Sequence, residues 1–386
     1  MNFELTTEQL MVKDMARKFA EREILPLLSK YERDEVICFE IIPKLASAGL
    51  LGLRIPTKYG GAGMDPVTSI IVSEELGWAS VSLPSLGLNP PNLPGAIILE
   101  YGSEEQKQKY LPPMCRGELI IAMGITEANA GSDVSGILTT AELDGDHWVI
   151  NGTKNFISGG QVADTVLVLA RTDKSKGPRG FSIIAVDKGT PGFASADLKG
   201  KLGFRSAPFA TLAFTDCRVP RENLIGEEGR GLRQGLAGVD IARLELAAAW
   251  IGMSQSCLDS CVKYAKERYQ FGKPIASFQL VQGTIAEMAT QIDAARWFIY
   301  YVADLVSRNV PHIRRQVAEA KLLSTELAVH VTAEAVKLHG AYGLMDDLPI
   351  EHHYRDVLAG TIAGGASNVL KVAIARDLLG KEATSG

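Results

Sequence analysis

The sequence predicts a mostly α-helical protein with a central antiparallel β domain and helices on both sides of it. Two observations support this fold class. Apolar residues recur at helical spacing near both ends of the chain, whereas the middle holds short β-branched and aromatic runs divided by turn residues. The 386 residues, of which 46% are hydrophobic, suffice for more than one core. We therefore predict a helical domain over 1–120, a β domain over 121–230 and a helical bundle over 231–386.

The first segment opens with a helix signal. Thr6 is followed three residues later by Gln9, which is the spacing of a capping box. Apolar residues then recur at helical spacing, namely Leu10, Val12, Met15, Phe19 and Ile24. Further along, the proline-rich stretch 84–94 is expected to be irregular, because proline lacks the backbone donor that a helix needs.

The middle segment has the pattern of short strands. They are expected in "HWVINGTKNFISGG", "DTVLVLART", "GFSIIAVD" and "FATLAFTDCRV". The dipeptides Asp144-Gly145 and Asn151-Gly152 are typical of two-residue hairpin turns. Together these signals indicate a small antiparallel sheet.

Long helical patterns return after residue 230. The stretch "VDIARLELAAAWIGMSQSCLDSCVKYAKERYQF" predicts one long helix with apolar residues on several sides, as in a helical bundle. Three more helices are expected in "FQLVQGTIAEMATQIDAARWFIYYVADLVS", "RRQVAEAKLLSTELAVHVTAEAVKLHG" and "GGASNVLKVAIARDLLG".

Composition narrows the class of function. The formal net charge of −5 gives no basic field, which argues against nucleic acid as a partner. The five cysteines are few and scattered, so they predict buried thiols rather than a disulfide framework or a metal site. Neither a signal peptide nor an apolar membrane span is recognised, which predicts a cytoplasmic protein. His339, His352 and His353 lack ligand companions at fitting spacing, so no metal is expected.

Six stretches carry a family resemblance. They are "ITEANAGSD" (125–133), "NGTKNFISGG" (151–160), "VDIAR" (239–243), "ERYQFGKPIASFQ" (267–279), "LHGAYG" (338–343) and "YRD" (354–356). In this order, and over nearly the whole chain, the sequence resembles the acyl-CoA dehydrogenase family. The resemblance implies a central β-barrel and a C-terminal four-helix bundle. It also implies FAD, an acyl-CoA thioester substrate, a homotetramer or dimer, and electron delivery to an electron-transferring flavoprotein.

The resemblance also assigns residues to FAD. They are Ile125, Thr126, Ser132, Phe156, Ser158, Arg268, Phe271, Gln279, Lys337, Gly340, Ala341, Ala366 and Asn368. An isoalloxazine needs an apolar wall with a few polar contacts, and a guanidinium suits a diphosphate. The family commonly has Trp, Gly, Thr and Gln at positions 156, 341, 366 and 368, so this chain departs from the pattern at four of these residues.

The residues that the resemblance assigns to the thioester are Ser132, Asp240, Arg243 and Gly365. Asp240 and Arg243 are expected to orient the CoA arm. They also lie three residues apart on one predicted helix, so a salt bridge without any ligand role is the alternative interpretation.

The catalytic position itself departs from the family. Most members carry a glutamate base in the turn after "YRD", where this chain has Gly364, followed by Gly365. Some relatives place the glutamate just before the arginine of "VDIAR", and here that residue is Ala242. The backbone N–H of Gly364 can still bind the thioester oxygen, but a glycine cannot accept the proton.

Three interpretations follow from Gly364. The base has moved to Glu245, which lies one helical turn beyond Ala242 among apolar residues, or Glu245 is only a charge partner. Alternatively, the chain is a desulfinase-like lyase or a non-catalytic subunit, neither of which needs an α-proton base. In the third interpretation, the chain is a variant in which glycine replaces the catalytic glutamate. A dehydrogenase is preferred, with a short, branched or cyclic acyl group because prolines and Trp250 narrow the expected pocket.

Overall fold

The computed structural model describes residues 4–380; the first three and last six residues, which the predicted domains include, lie outside this range. The N-terminal part is helical, as expected. Its helices are α1 (Thr7–Phe19), α2 (Leu25–Asp34), α3 (Ile41–Ser47), α4 (Pro66–Ala79), α5 (Ser85–Asn92), α6 (Pro94–Tyr101) and α7 (Glu104–Cys115).

In the N-terminal part, one prediction made from the local sequence is confirmed and another is wrong. The Thr6 hydroxyl accepts from the Gln9 N–H, and the Gln9 side chain accepts from the Thr6 N–H, so the capping box is present. The expectation that 84–94 is irregular is wrong, because α5 contains Pro90 and Pro91 and α6 begins at Pro94. Pro94 takes the first position of α6, where proline loses no intrahelical bond, whereas Pro90 and Pro91 lie near the end of α5, which stops at Asn92.

The central part is one sheet of eight strands. They are β1 (Ile121–Gly124), β2 (Thr140–Asp144), β3 (His147–Ser158), β4 (Thr165–Arg171), β5 (Phe181–Asp187), β6 (Phe193–Asp197), β7 (Phe209–Pro220) and β8 (Leu224–Ile225). The order is β6-β7-β3-β2-β4-β5-β8, with β1 paired to β4. The sheet is mixed rather than antiparallel throughout, because β1 and β4 run parallel.

The two predicted hairpin turns have different outcomes. Asp144-Gly145 does lie at the turn between β2 and β3. Asn151-Gly152 does not form a turn but lies inside β3, where the pairing with β7 shifts register. A Cβ on Gly152 would lie 2.5 Å from the Thr139 hydroxyl oxygen, so glycine is required there by a close neighbour rather than by a turn.

The C-terminal part is helical again. After α8 (Gly231–Glu267) comes a short hairpin of β9 (Tyr269–Gln270) and β10 (Lys273–Pro274). The remaining helices are α9 (Gln279–Ser307), α10 (Arg314–His339), α11 (Pro349–Gly360) and α12 (Ser367–Leu379). The predicted single long helix is therefore confirmed as α8, whereas α11 was not expected.

A shared hydrophobic core holds four of the helices together. Buried side chains of α4, α8, α9 and α10 pack together, as shown by Ile70, Ile251, Ile299 and Val331. All five cysteines are free and buried, which confirms the thiol prediction. Among residues 4–380, no helix combines the length and the apolar character needed to cross a membrane.

Candidate active site

The turn between α11 and α12, residues 361–366, carries the unusual glycine. Gly364 and Gly365 both adopt positive φ, +67° and +104°, a region that glycine enters without steric cost. Among the described residues, no hydrogen bond uses the N–H of Gly364. This N–H is therefore available to an oxygen of a bound molecule.

Arg243 of α8 binds this turn directly. Its Nε donates to the Gly364 carbonyl at 2.6 Å, and its Nη1 donates to Asp240 Oδ1 at 2.6 Å. Arg314 of α10 approaches the other Asp240 oxygen at 3.1 Å. Burial raises the pKa of Asp240, although both arginines act in the opposite direction. The structure thus brings Asp240, Arg243, Gly364 and Gly365 together, while the predicted contact of the pair with CoA stays a prediction.

Lys321 of α10 is a site residue that sequence reasoning missed. Its side chain is fully buried, and its Nζ donates to the carbonyls of Gly360 at 2.5 Å and Gly365 at 2.9 Å. Burial lowers the pKa of Lys321 to about 8. A signal for it was present, because Lys321 lies at helical spacing from Val317 and Ser324, both on the buried face of α10.

The space beside Gly364 would admit a side chain. A Cβ there would meet Leu246 Cδ1 at 3.5 Å, Arg243 Cγ at 3.9 Å and Lys321 Cε at 4.0 Å. These are ordinary van der Waals distances. A substitution at residue 364 is therefore limited by the positive φ and not by a clash.

Glu245 lies on a different face of α8. Its carboxylate is buried and accepts hydrogen bonds from Ser69 at 2.6 Å and Ser73 at 2.5 Å, both on α4. At about 100° per residue, position 245 is rotated about 200° from Arg243, which faces the turn. It is therefore not the partner of Arg243, and its contacts count against the predicted base role.

The residues assigned to the flavin ring lie at the end of β3 and just after β1. Phe156 in β3 is 66% exposed with φ +59°, at a register shift between β3 and β7. Ser158, two residues on, is also exposed, and the Thr126 carbonyl accepts from the Asn155 N–H at 2.9 Å. An exposed aromatic face at a strained backbone position, next to polar groups, fits the edge and face of an isoalloxazine.

The other assigned FAD residues lie on four separate segments. Ile125 and Ser132 follow β1; Arg268, Phe271 and Gln279 lie in or beside the β9–β10 hairpin; Lys337 lies in the last turn of α10, with Gly340 and Ala341 directly after that helix; Ala366 and Asn368 lie at the start of α12. Phe271 is 92% exposed, and Lys337 forms an ion pair with Glu334 at 2.7 Å. Within the single chain, the hairpin residues therefore offer a surface rather than an enclosed pocket, and their binding roles stay predictions.

A second buried charge cluster lies at the other end of α11. His352 Nδ1 is 3.2 Å from Glu32 Oε2, and His352 Nε2 is 3.3 Å from Asp356 Oδ2. Sequence spacing did not show that these three residues meet, because Glu32 is on α2. Each carboxylate faces a different ring nitrogen, which suits an imidazolium that donates twice better than a metal ion bound to one nitrogen.

Comparisons with known proteins agree with this architecture. Models of the acyl-CoA dehydrogenase N-terminal, middle and C-terminal domains match residues 6–118, 122–217 and 229–379. The chain is 42% identical to an acryloyl-CoA reductase (NADH) of Anaerotignum propionicum, over 98% of this chain and 96% of that protein. It is 39% identical to the short-chain specific acyl-CoA dehydrogenase of Clostridium acetobutylicum, over 97% and 98%.

A solved structure gives the same result. A chain of the structure described as the electron transferring flavoprotein of Acidaminococcus fermentans superposes with a TM-score of 0.94 at 39% identity, over 98% of this chain and all of that one. The chain belongs to the acyl-CoA dehydrogenase family. It is an FAD-dependent oxidoreductase of acyl-CoA thioesters, as the resemblance implied.

Proposed function

We propose that the protein interconverts a short acyl-CoA and its α,β-unsaturated form, with no side chain at residue 364 to carry the α-proton. The observation that carries this proposal is the turn around Gly364. Its carbonyls are held by Arg243 and Lys321, and the N–H of Gly364 is available. When bound, FAD supplies the hydride acceptor for the β-carbon.

The protein's own part in the reaction is to bind and polarise the thioester. The Gly364 N–H donates to the thioester carbonyl oxygen, which makes the α-hydrogen more acidic. Asp240 and Arg243 keep the turn in place, and Arg243 is 16% exposed and so remains accessible to the ligand. With no carboxylate at residue 364, the α-proton passes to water in the space beside Gly364.

A short acyl group is supported by Trp250. This side chain is buried, and its ring packs so closely on Gly360 that a Cβ there would lie 2.8 Å from it. Trp250 thus fills the space against the end of α11, next to the turn that Lys321 holds, and we expect it to shorten the acyl pocket. The name of the short-chain specific relative points in the same direction.

Reduction of an unsaturated thioester is a second candidate for the working direction. The relative with 42% identity is named acryloyl-CoA reductase. The two relatives named above are a reductase and a dehydrogenase, which favours redox chemistry over the desulfinase-like and non-catalytic interpretations.

An electron-transferring flavoprotein is the proposed redox partner, supported by the description of the superposed structure. A homotetramer is the proposed assembly, supported by the exposure of Phe271 and Leu280, 92% and 88%, which association would bury. The cytoplasmic location stays a prediction.

The test is an anaerobic titration of the purified yellow protein with saturated and unsaturated acyl-CoA thioesters of increasing length. The proposal expects short saturated thioesters to bleach the flavin. If only the chemically reduced protein reacts, and only with enoyl-CoA, reduction is the working direction. If no thioester changes the spectrum, the proposed function is wrong.

A further inference from the structure

Lys321 is a buried cation whose acceptors are uncharged. It lies in α10 with no exposed surface, and its described hydrogen bonds go to two backbone carbonyls, with no carboxylate among them. The charged groups that act on it are Arg243 from α8 and Glu326 from its own helix. Burying an ammonium is costly, so a buried lysine without an acidic acceptor calls for an explanation beyond packing.

The positions of the two carbonyls show which parts of the chain Lys321 connects. Gly360 is the last residue of α11, and Gly365 closes the turn that follows, so one ammonium joins both ends of it. Arg243 binds the carbonyl of Gly364 between them. Three charge-assisted hydrogen bonds therefore hold the end of α11 and the two-glycine turn that follows it, and such bonds are stronger than neutral ones.

The charge around the turn is unevenly compensated. Arg243 is paired with Asp240, which also meets Arg314. Glu326, the acidic group acting on Lys321, is exposed to solvent, where water screens it. Inside a poorly polarisable interior the ammonium therefore produces a positive potential at the Gly364 N–H.

We infer that Lys321 is a positioning residue that stabilises the enolate of a bound acyl-CoA thioester by fixing the 361–366 turn and adding positive charge beneath it. The inference rests on the proposed function. In the step concerned, the α-C–H bond breaks, its electron pair moves onto the thioester oxygen, and the proton goes to water. The developing oxyanion meets the Gly364 N–H, and Lys321 supports that donor from behind without touching the substrate.

The charge is present at neutral pH. Burial lowers the pKa of Lys321 to about 8, so the side chain is mostly an ammonium at pH 7 and loses its charge in mildly alkaline solution. The groups facing it from the adjoining elements are Arg243 on α8, Glu326 on α10 and the uncharged carbonyls at the end of α11. A change in enolate binding near pH 8 is therefore expected to report on Lys321.

The experiment uses acetoacetyl-CoA, a thioester that enolises without any redox reaction. The pH at which the bound ligand becomes an enolate is read from its near-ultraviolet absorbance, with the flavin-loaded protein in excess. The inference expects Lys321→Met and Lys321→Gln to raise this apparent pKa by about 1 to 3 units, the usual effect of removing a nearby charge. Lys321→Arg should stay close to the wild type.

Two controls make the result specific. Lys321→Gln keeps an N–H donor for the carbonyls but no charge, so it separates electrostatics from anchoring. Lys371→Met removes the same charge from an exposed residue of α12 and should leave the bound pKa unchanged. If the Met and Gln variants match the wild type, the inference is wrong.

A measurement on the wild-type protein also tests the inference, and it does not depend on whether a variant folds. Its affinity for the enolate should weaken as the pH rises through about 8, where Lys321 loses its charge. An affinity that is flat across this range would contradict the inference. If acetoacetyl-CoA does not bind to the wild type at all, the thioester site and with it the proposed function fail, which is a distinguishable outcome.

Discussion

A buried cation lies near each end of helix α11, and the surroundings of the two cations differ. At its start, His352 lies between the carboxylates of Glu32 and Asp356, while at its end Lys321 holds the carbonyl of Gly360. Burial alone would lower the pKa of His352, but Asp356 and Glu32 outweigh it and raise the pKa. For Lys321, burial prevails and the pKa falls to about 8.

This difference indicates different roles for the two cations: His352 is structural, and Lys321 is functional. Glu32 also accepts from the Ser206 N–H at 2.7 Å, and Asp356 accepts from the Phe204 N–H at 2.5 Å. The His352 cluster thereby connects α2, the segment before β7 and α11, and Arg355, 3.8 Å from Glu32, adds a second cation to balance the two carboxylates. Lys321 has no such balance, so its charge remains available to a negative group at the turn.

The largest expected effect belongs to Gly364→Glu. A carboxylate beside the substrate α-carbon should raise the rate of flavin reduction by saturated acyl-CoA by about 10²–10⁴-fold, as a positioned base does. The backbone φ of +67° should cost about 1–2 kcal/mol of stability. Gly364→Ala has the same strain without a carboxylate and should show no gain. Equal rates in the two variants would show that residue 364 does not face the α-carbon.

The next effect concerns the His352 cluster. His352→Gln leaves two buried carboxylates without the imidazolium between them, so the free energy of unfolding at pH 6 should fall by about 3–5 kcal/mol. Denaturant unfolding measures this loss. His330→Gln is the control, because residue 330 is exposed on α10. A loss no larger than that of the control would mean that His352 is not charged in the folded protein.

The pH dependence of this loss sharpens the comparison. A raised pKa means that folded His352 holds its proton more tightly than the unfolded chain does. The stabilisation is therefore complete below about pH 6.5 and disappears as the pH rises past the folded pKa. The stability gap between wild type and His352→Gln should narrow from pH 6 to pH 9. Lys321 has the opposite sign, because a lowered pKa adds stability as the pH rises above about 8.

The smallest expected effect is that of Glu245→Gln. The amide keeps the shape of the carboxylate between Ser69 and Ser73, and residue 245 does not face the turn. Flavin reduction by a short acyl-CoA, measured by stopped flow, should keep its wild-type rate. A loss comparable to the gain expected at residue 364 would restore Glu245 as the base.

Features that depend on neighbours along the chain could be predicted from the sequence. The capping box of Thr6, the turn at Asp144-Gly145 and the long helix α8 are set by contacts within a few residues. The family motifs also located Asp240 and Arg243, which do meet at 2.6 Å.

The rest depends on partners far away in sequence. Asn151-Gly152 has the composition of a turn, but Thr139 and β7 hold it in a strand. Lys321 meets Gly360 and Gly365 across 39 and 44 residues, a pairing that helical periodicity cannot reveal. Periodicity could show only that this lysine lies on the buried face of α10.

The most direct test of the central claim is the buffer dependence of the wild-type reaction. At fixed pH and ionic strength, the rate of flavin reduction by butyryl-CoA is measured by stopped flow at increasing concentrations of acetate or phosphate. If no side chain accepts the α-proton, the wild-type rate should rise with buffer base, and Gly364→Glu should remove this dependence. A wild-type rate that is independent of buffer, and that is lost in Glu245→Gln, would contradict the account.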